Sequence, residues 1–97
     1  MTATTEAVLC PAGQWTAVST AKVKVLLSLR SSGAIYLKTG AALPTVAPTT
    51  DDSGSAGFDF LTVTADRPAS FTFSDTTTNI YAYPRGDGAM TLETVTE

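Results

Sequence analysis

Two segments of this chain alternate apolar and polar residues with the period of a β-strand. Residues 22–30 carry an apolar side chain at every odd-numbered position, and residues 70–74 carry phenylalanine at every second position. Because successive side chains of a strand point to opposite faces, each segment buries one face and leaves the other to water or a partner. The alternation therefore predicts sheets with one covered face.

Eight short segments of this kind account for most of the chain. Glycine, proline and aspartate interrupt them, as in tight turns, for example at residues 75–78 and 84–88. No window shows the 3.6-residue stripe of a helix, so we expect an all-β protein, a small eight-stranded antiparallel β-sandwich with jelly-roll-like topology. The first four strands could pair in sequence order, and the last two could form a hairpin. The predicted strands cover residues 6–10, 14–19, 22–30, 34–38, 58–64, 69–74, 79–83 and 89–95.

The length of 97 residues predicts one domain. We expect residues 1–5 to be a flexible N-terminal arm and residues 6–97 to be a single β-sandwich domain. Between residues 40 and 57 the alternation breaks, with two prolines and a run of Thr, Asp, Ser and Gly. Long irregular loops are uncommon in compact domains unless they bind something or stay mobile. Residues 40–57 are therefore either a partner-contact segment or a plain crossover between two sheets.

The charge and hydropathy of the chain argue against two classes of partner. The net charge is −3, and the six basic residues are dispersed, whereas nucleic-acid binding needs lysine and arginine along the phosphates. No run of about eighteen apolar residues is present, so we expect no membrane span. Residues 1–6 lack the basic start and apolar run of a signal peptide. We expect a chain that is made in a cytoplasm and binds neither nucleic acid nor membrane.

Groups that carry enzyme chemistry are scarce. The chain has no histidine, so its serine, threonine and cysteine side chains lack the usual base. Cys10 follows three apolar residues, which favours a buried packing role. Asp51, Asp52 and Asp59 lack the spacing of a calcium loop. We therefore expect no catalytic residue, no metal and no cofactor, and a protein that is not an enzyme.

Two further patterns have both a functional and a structural interpretation. Residues 85–87 read Arg-Gly-Asp, the tripeptide of integrin ligands, but the same residues suit a hairpin connection, which we prefer. Trp15, Tyr36, Tyr81 and Tyr83 could form a sugar-stacking platform if they shared an exposed face. Filling the core is the commoner use of aromatic residues in a small sandwich.

The order of the segments resembles that of small structural proteins of tailed-bacteriophage virions, of the capsid decoration or cement type. The likeness is carried by a start without a signal sequence, by residues 14–18 ahead of a Lys-rich strand, by the mid-chain Pro/Thr/Gly loop, and by residues 69–75 and the two last strands. The likeness extends over about residues 6–97 and concerns the order and composition of the segments. No diagnostic motif is matched, so no functional residue can be assigned from it.

The resemblance implies a virion protein without chemistry, whose partners are the major capsid protein or other virion subunits. It also implies a homo-oligomer, with a trimer favoured. The alternative is a tail or fibre module that recognises a host-surface glycan or receptor. We expect the arm and the mid-chain loop to order against a neighbour, so that deletion of residues 45–55 would abolish attachment but leave the domain folded. The candidate contact residues are Thr4, Thr5, Leu43, Pro44, Val46 and Pro48.

Overall fold

The computed structural model describes residues 3–30, 32–49 and 59–97, and these residues form eight β-strands. None of the described residues lies in a helix. The all-β prediction is confirmed, and each strand overlaps one predicted segment. The strands are β1 (Thr4–Cys10), β2 (Thr16–Ser19), β3 (Lys24–Leu29), β4 (Ala34–Gly40), β5 (Leu61–Thr64), β6 (Ala69–Thr72), β7 (Asn79–Pro84) and β8 (Met90–Thr96).

The strands form two antiparallel sheets that pack on one another. Sheet A has the order β1-β8-β3-β6, and sheet B has the order β2-β7-β4-β5. Among the described strands, only β4 and β5 follow one another in the chain and also lie in the same sheet. Every other pair of successive strands lies in opposite sheets. This is the strand order of a jelly roll. The prediction of an eight-stranded antiparallel sandwich with jelly-roll-like topology is confirmed.

The neighbours of the strands differ from the predicted pairing. Pairing of the first four strands in sequence order is wrong, because β1 pairs with β8 and β2 pairs with β7. The predicted C-terminal hairpin is also wrong, because β7 and β8 lie in opposite sheets. Alternation along a strand shows which face is buried, and it does not show which strand lies alongside.

The first strand begins earlier than the sequence pattern indicates. We expected residues 1–5 to be a free arm, but Thr4 and Thr5 belong to β1 and pair with Thr96 and Val95 of β8. The last strand extends far enough toward the C-terminus to offer them backbone partners, and β-branched threonine suits a strand. The two threonines are thus part of sheet A.

The core lies between the two sheets and follows the predicted alternation. In β3 the odd-numbered residues point inward, and in β4 and β7 alternate residues do the same. Phe71 and Phe73 pack against this cluster at its margin. Cys10 is fully buried, which confirms its predicted packing role. The buried cluster consists of Cys10, Val18, Val25, Leu27, Leu29, Ile35, Leu37, Val63, Ile80, Ala82 and Leu92.

The connection between β6 and β7 contains a turn of the predicted kind. The Asp75 carboxylate accepts hydrogen bonds from the backbone N–H of Thr77, at 3.0 Å, and from the Thr77 hydroxyl, at 2.9 Å. The backbone bond is the main cause of a lowered pKa of the Asp75 carboxyl, followed by the hydroxyl bond. An aspartate that bonds the backbone two residues on is a common way to stabilise a turn.

Candidate partner-binding site

The described part of the mid-chain loop is attached to sheet B by the only tryptophan. The indole Nε1 of Trp15 donates a hydrogen bond to the carbonyl oxygen of Val46 at 2.9 Å. The Trp15 ring also packs edge-on against Tyr83, with ring centroids 5.4 Å apart. Because Trp15 immediately precedes β2 and Tyr83 belongs to β7, this contact holds residues 43–48 beside sheet B.

Aromatic side chains form a second apolar layer on the face of sheet B that points away from sheet A. Ile80 and Ala82 point into the core, so Tyr81 and Tyr83 point to the other side. Tyr36 lies opposite Tyr83 in the register of β4 and β7. We call this set the aromatic layer, and its members are Trp15, Tyr36, Phe60, Tyr81 and Tyr83.

The aromatic layer agrees with neither sequence interpretation in full. The residues share one face, as a sugar platform requires, but Trp15, Tyr36 and Tyr81 are buried. They also lie outside the inter-sheet core, which we had expected them to fill. Tyr36 and Phe60 pack with ring centroids 4.3 Å apart, so the layer extends toward β5. An exposed stacking platform is therefore absent from the described residues.

Four of the candidate contact residues lie together on residues 43–48, beside the aromatic layer. A cleft of about 430 Å³ separates the turn at Gly13 and Gln14 from residues 43–47, and Leu43 and Pro44 line it beside Trp15. The side chain of Leu43 is 55% exposed and that of Val46 is 43% exposed. Pro48 follows on the same segment and is half-buried. The segment therefore presents apolar side chains from an anchored position.

The two candidate threonines do not join this site. Thr4 and Thr5 lie in sheet A, at the end of β1 that is remote from the turn before Trp15. The length of the strand separates Thr4 from Cys10 by about 20 Å, given the rise per residue of a strand. The structure thus places the six predicted contact residues in two separate regions.

Sequence reasoning missed two exposed leucines on the outer face of sheet A. Leu9 is 64% exposed and Leu26 is 47% exposed. Leu26 lies opposite Val95, which in turn lies opposite Thr5. A signal for Leu26 was available, because it is an apolar residue at an even-numbered position of a segment whose odd-numbered positions face the core. The outward face of residues 22–30 therefore includes one large apolar side chain, that of Leu26, among polar ones.

The charges on this face and the buried thiol offer little chemistry. Arg30 and Glu93 form an exposed ion pair with an N–O distance of 3.0 Å, and such pairs contribute about 0–1 kcal/mol. Burial raises the pKa of the Cys10 thiol to about 11, so the reactive thiolate is rare near neutral pH. Residues 3–30, 32–49 and 59–97 contain no group of histidine, cysteine, aspartate and glutamate arranged to hold a metal ion. Asp51 and Asp52, two of the residues weighed for calcium, lie outside the described residues.

The Arg-Gly-Asp sequence lies in the connection between β7 and β8. Arg85, Gly86 and Asp87 are exposed, and they join sheet B to sheet A, so the predicted hairpin setting is wrong. The backbone of Gly86 has a φ of 99°, a conformation that favours glycine. The backbone N–H of Arg85 donates to the carbonyl oxygen of Ala34 at 3.1 Å. A turn requirement is enough to account for the glycine.

Comparison of the chain with models of protein families, with curated proteins and with solved structures found no match. Within the described part of the chain, no helix has the length and apolar character needed to cross a membrane.

We expect the substitution Trp15→Phe to lower the free energy of unfolding by about 1–3 kcal/mol. The Val46 carbonyl loses its hydrogen-bond donor, and the smaller ring fills less of the space that the buried indole occupies. Urea unfolding followed by far-UV circular dichroism measures the loss. Tyr83→Phe is the matched control, since it keeps the ring beside Trp15, and we expect it to change stability by less than about 0.5 kcal/mol. Equal losses in the two variants would contradict the anchoring role of the indole.

The same contact changes one expectation from the sequence. Deletion of residues 45–55 removes Val46 and with it the partner of Trp15. We therefore expect the deletion to weaken the domain as well as any attachment, and point substitutions of exposed residues are the cleaner test.

Proposed function

We propose that this protein is a non-enzymatic structural subunit of a bacteriophage virion, of the capsid decoration or cement type, which stabilises the head by binding neighbouring capsid proteins. The observation that supports the proposal best is the anchored segment 43–48, which presents Leu43 and Val46 to solvent while Trp15 holds its backbone. A contact segment that is already ordered loses less conformational entropy when it binds. Its partner would be another virion subunit with a complementary apolar surface.

Weak contacts are sufficient for a role of this kind. Completing the burial of Leu43 and Val46, each already about half-buried, would contribute about 1 kcal/mol for each side chain. A capsid repeats the same site many times, and linked copies bind more tightly than a single copy. Binding only the assembled particle also stabilises that state by mass action. The proposal also includes self-association of the chain into a homo-oligomer.

Co-sedimentation with capsids tests this proposal. The capsids would be assembled from the major capsid protein encoded near the gene for this chain, and the wild-type chain should pellet with them. We expect Leu43→Asp and Val46→Asp each to weaken attachment by about tenfold or more, the effect of losing an anchoring apolar contact. Leu61→Asp is the matched control, because Leu61 is 44% exposed and lies on β5, outside the segment.

The outcomes of the co-sedimentation assay are distinct. Retained attachment of Leu61→Asp with loss in the other two variants supports the proposal. A wild-type chain that stays in the supernatant, or three variants that all pellet like the wild type, would show that segment 43–48 does not bind capsids.

One observation favours the alternative, a binding module for a host-surface glycan. The cleft of about 430 Å³ has Gln14 and Thr45 near Trp15 and Tyr83, which combines hydrogen-bonding groups with aromatic rings. A glycan array separates the two functions. A cement subunit should give no signal, whereas a glycan-binding module should give a signal that Gln14→Ala reduces.

A further inference from the structure

The two sheets have four edge strands, and three of them carry features that discourage pairing with another chain. The strands β2, β5 and β6 have four residues each. The register of β2 is irregular between Ala17 and Ser19. The turn between β5 and β6 is closed by a bridge between Thr64 and Arg67, and Pro68 precedes β6. Short length, irregular register and proline all limit edge-to-edge association.

The edge strand β1 is neither short nor irregular, and its flanking proline, Pro11, lies beyond its last residue. It has seven residues in unbroken register with β8, and it contains no proline and no lysine. Most of its side chains are exposed. Among the large apolar residues of the described chain, Leu9 is the most exposed. Glu6 is the only charged residue of β1. A long, regular and largely uncharged edge is a template for another strand.

We propose that β1 pairs antiparallel with β1 of a second copy of this chain, across a two-fold axis at Ala7. In this register Ala7 lies opposite Ala7 of the second copy. Thr5 lies opposite Leu9, and Glu6 lies opposite Val8. The two copies of sheet A then form one continuous sheet, with the same surface used by both copies.

The strand suits a copy of itself for steric and electrostatic reasons. The smallest side chain of the central residues, that of Ala7, lies at the axis, where it faces the same residue of the second copy. Each Glu6 carboxylate lies opposite a valine, whereas an axis one residue earlier would place the two carboxylates opposite each other, which destabilises a sheet. On the outer face, Leu9 meets Thr5 of the second copy, and that Thr5 lies beside Val95 of its own β8. The exposed leucine thus gains an apolar neighbourhood.

This inference is independent of the virion role, because the edge exists whatever the protein binds. It also refines the self-association proposed above. A two-fold contact closes after two copies, so we expect a dimer in solution in place of the trimer that the resemblance implies.

Sedimentation equilibrium on the full chain measures the assembly. We expect the wild type to reach twice the chain mass of 10.0 kDa at high micromolar concentration. Ala7→Lys should weaken dimerisation by about tenfold or more, because two ammonium groups then lie opposite each other at the axis. The monomer should stay folded, since Ala7 lies beside Glu93 of β8 and the new charge has an opposite neighbour. Leu26→Lys is the control on the same face, two strands away from the edge, and it should leave the dimer intact.

Cross-linking tests the register directly. In the proposed pair, the Cα atoms of residue 7 lie within the range that a disulfide spans. We expect Ala7→Cys to form a disulfide-linked dimer under mild oxidation and Leu26→Cys to form far less, while the fully buried Cys10 does not compete. A monomeric or trimeric wild type, a dimer broken by Leu26→Lys but not by Ala7→Lys, or equal cross-linking of the two cysteine variants would overturn the proposal. None of these results bears on capsid attachment, which the co-sedimentation assay measures separately.

Discussion

Replacement of Leu27 with alanine should lower the free energy of unfolding by about 2–5 kcal/mol, the range for deleting a large buried aliphatic side chain. Leu27 is fully buried in the centre of sheet A, where it lies opposite Thr94 of β8 and Ala69 of β6. Strands on both sides hold the backbone, so the cavity cannot easily close. Small domains are stable by only about 5–15 kcal/mol, so this loss is a large share of the total.

The adjacent residue provides a matched control for this prediction. Leu26 has the same side chain, but it points to solvent from the outer face of sheet A and is 47% exposed. We expect Leu26→Ala to lower the free energy of unfolding by less than about 1 kcal/mol. Urea unfolding followed by circular dichroism compares the two variants. Similar losses in both would mean that the alternation assigns the wrong face of β3 to the core.

We expect Cys10 to react with a thiol reagent more slowly in the folded chain than in the unfolded chain, by about 100-fold or more at neutral pH. Burial raises the pKa of the thiol from 9.0 to about 11, which lowers the thiolate fraction by about 100-fold below pH 9.0. The side chain is also inaccessible to the reagent. The rate at which Cys10 reacts with a chromogenic disulfide reagent is measured in buffer, where the chain is folded, and in concentrated urea, where it is unfolded. Comparable rates would show that Cys10 is not held in the core.

The same shift makes stability depend on pH in the alkaline range. The folded chain keeps the Cys10 proton to a higher pH than the unfolded chain, so deprotonation favours unfolding. The contribution of the protonated Cys10 thiol to the free energy of unfolding is complete below pH 9.0, and it is lost as the pH rises to about 11. The difference between the wild type and Cys10→Ala isolates this contribution from that of the tyrosines. We expect that difference to shrink over this interval, and a constant difference would contradict the assigned cause.

Local alternation predicted much of the fold. The odd-numbered residues of β3 face the core, as expected, because the direction of successive side chains is a property of the extended backbone. Thr4 and Thr5 were misjudged because their pairing depends on β8, at the opposite end of the chain. Strand neighbours were misjudged for the same reason, since β8 lies between β1 and β3.

The candidate site was predicted only in part. The sequence indicated an unusual segment at residues 40–57, from its prolines and its lack of period, and Leu43 and Pro44 do line a cleft. It did not indicate that Trp15 holds the segment, because the hydrogen bond joins residues 31 positions apart. It also grouped Thr4 and Thr5 with this segment, although they lie in the other sheet.

The amino-acid sequence by itself determined that the chain forms short strands and which side of most of them is buried, because a period of two is read from neighbouring residues. Only the tertiary structure decided which strands lie together, that the aromatic side chains form a layer outside the core, and that β1 is the unprotected edge. These features depend on contacts between residues far apart in the chain, and no local pattern records such contacts.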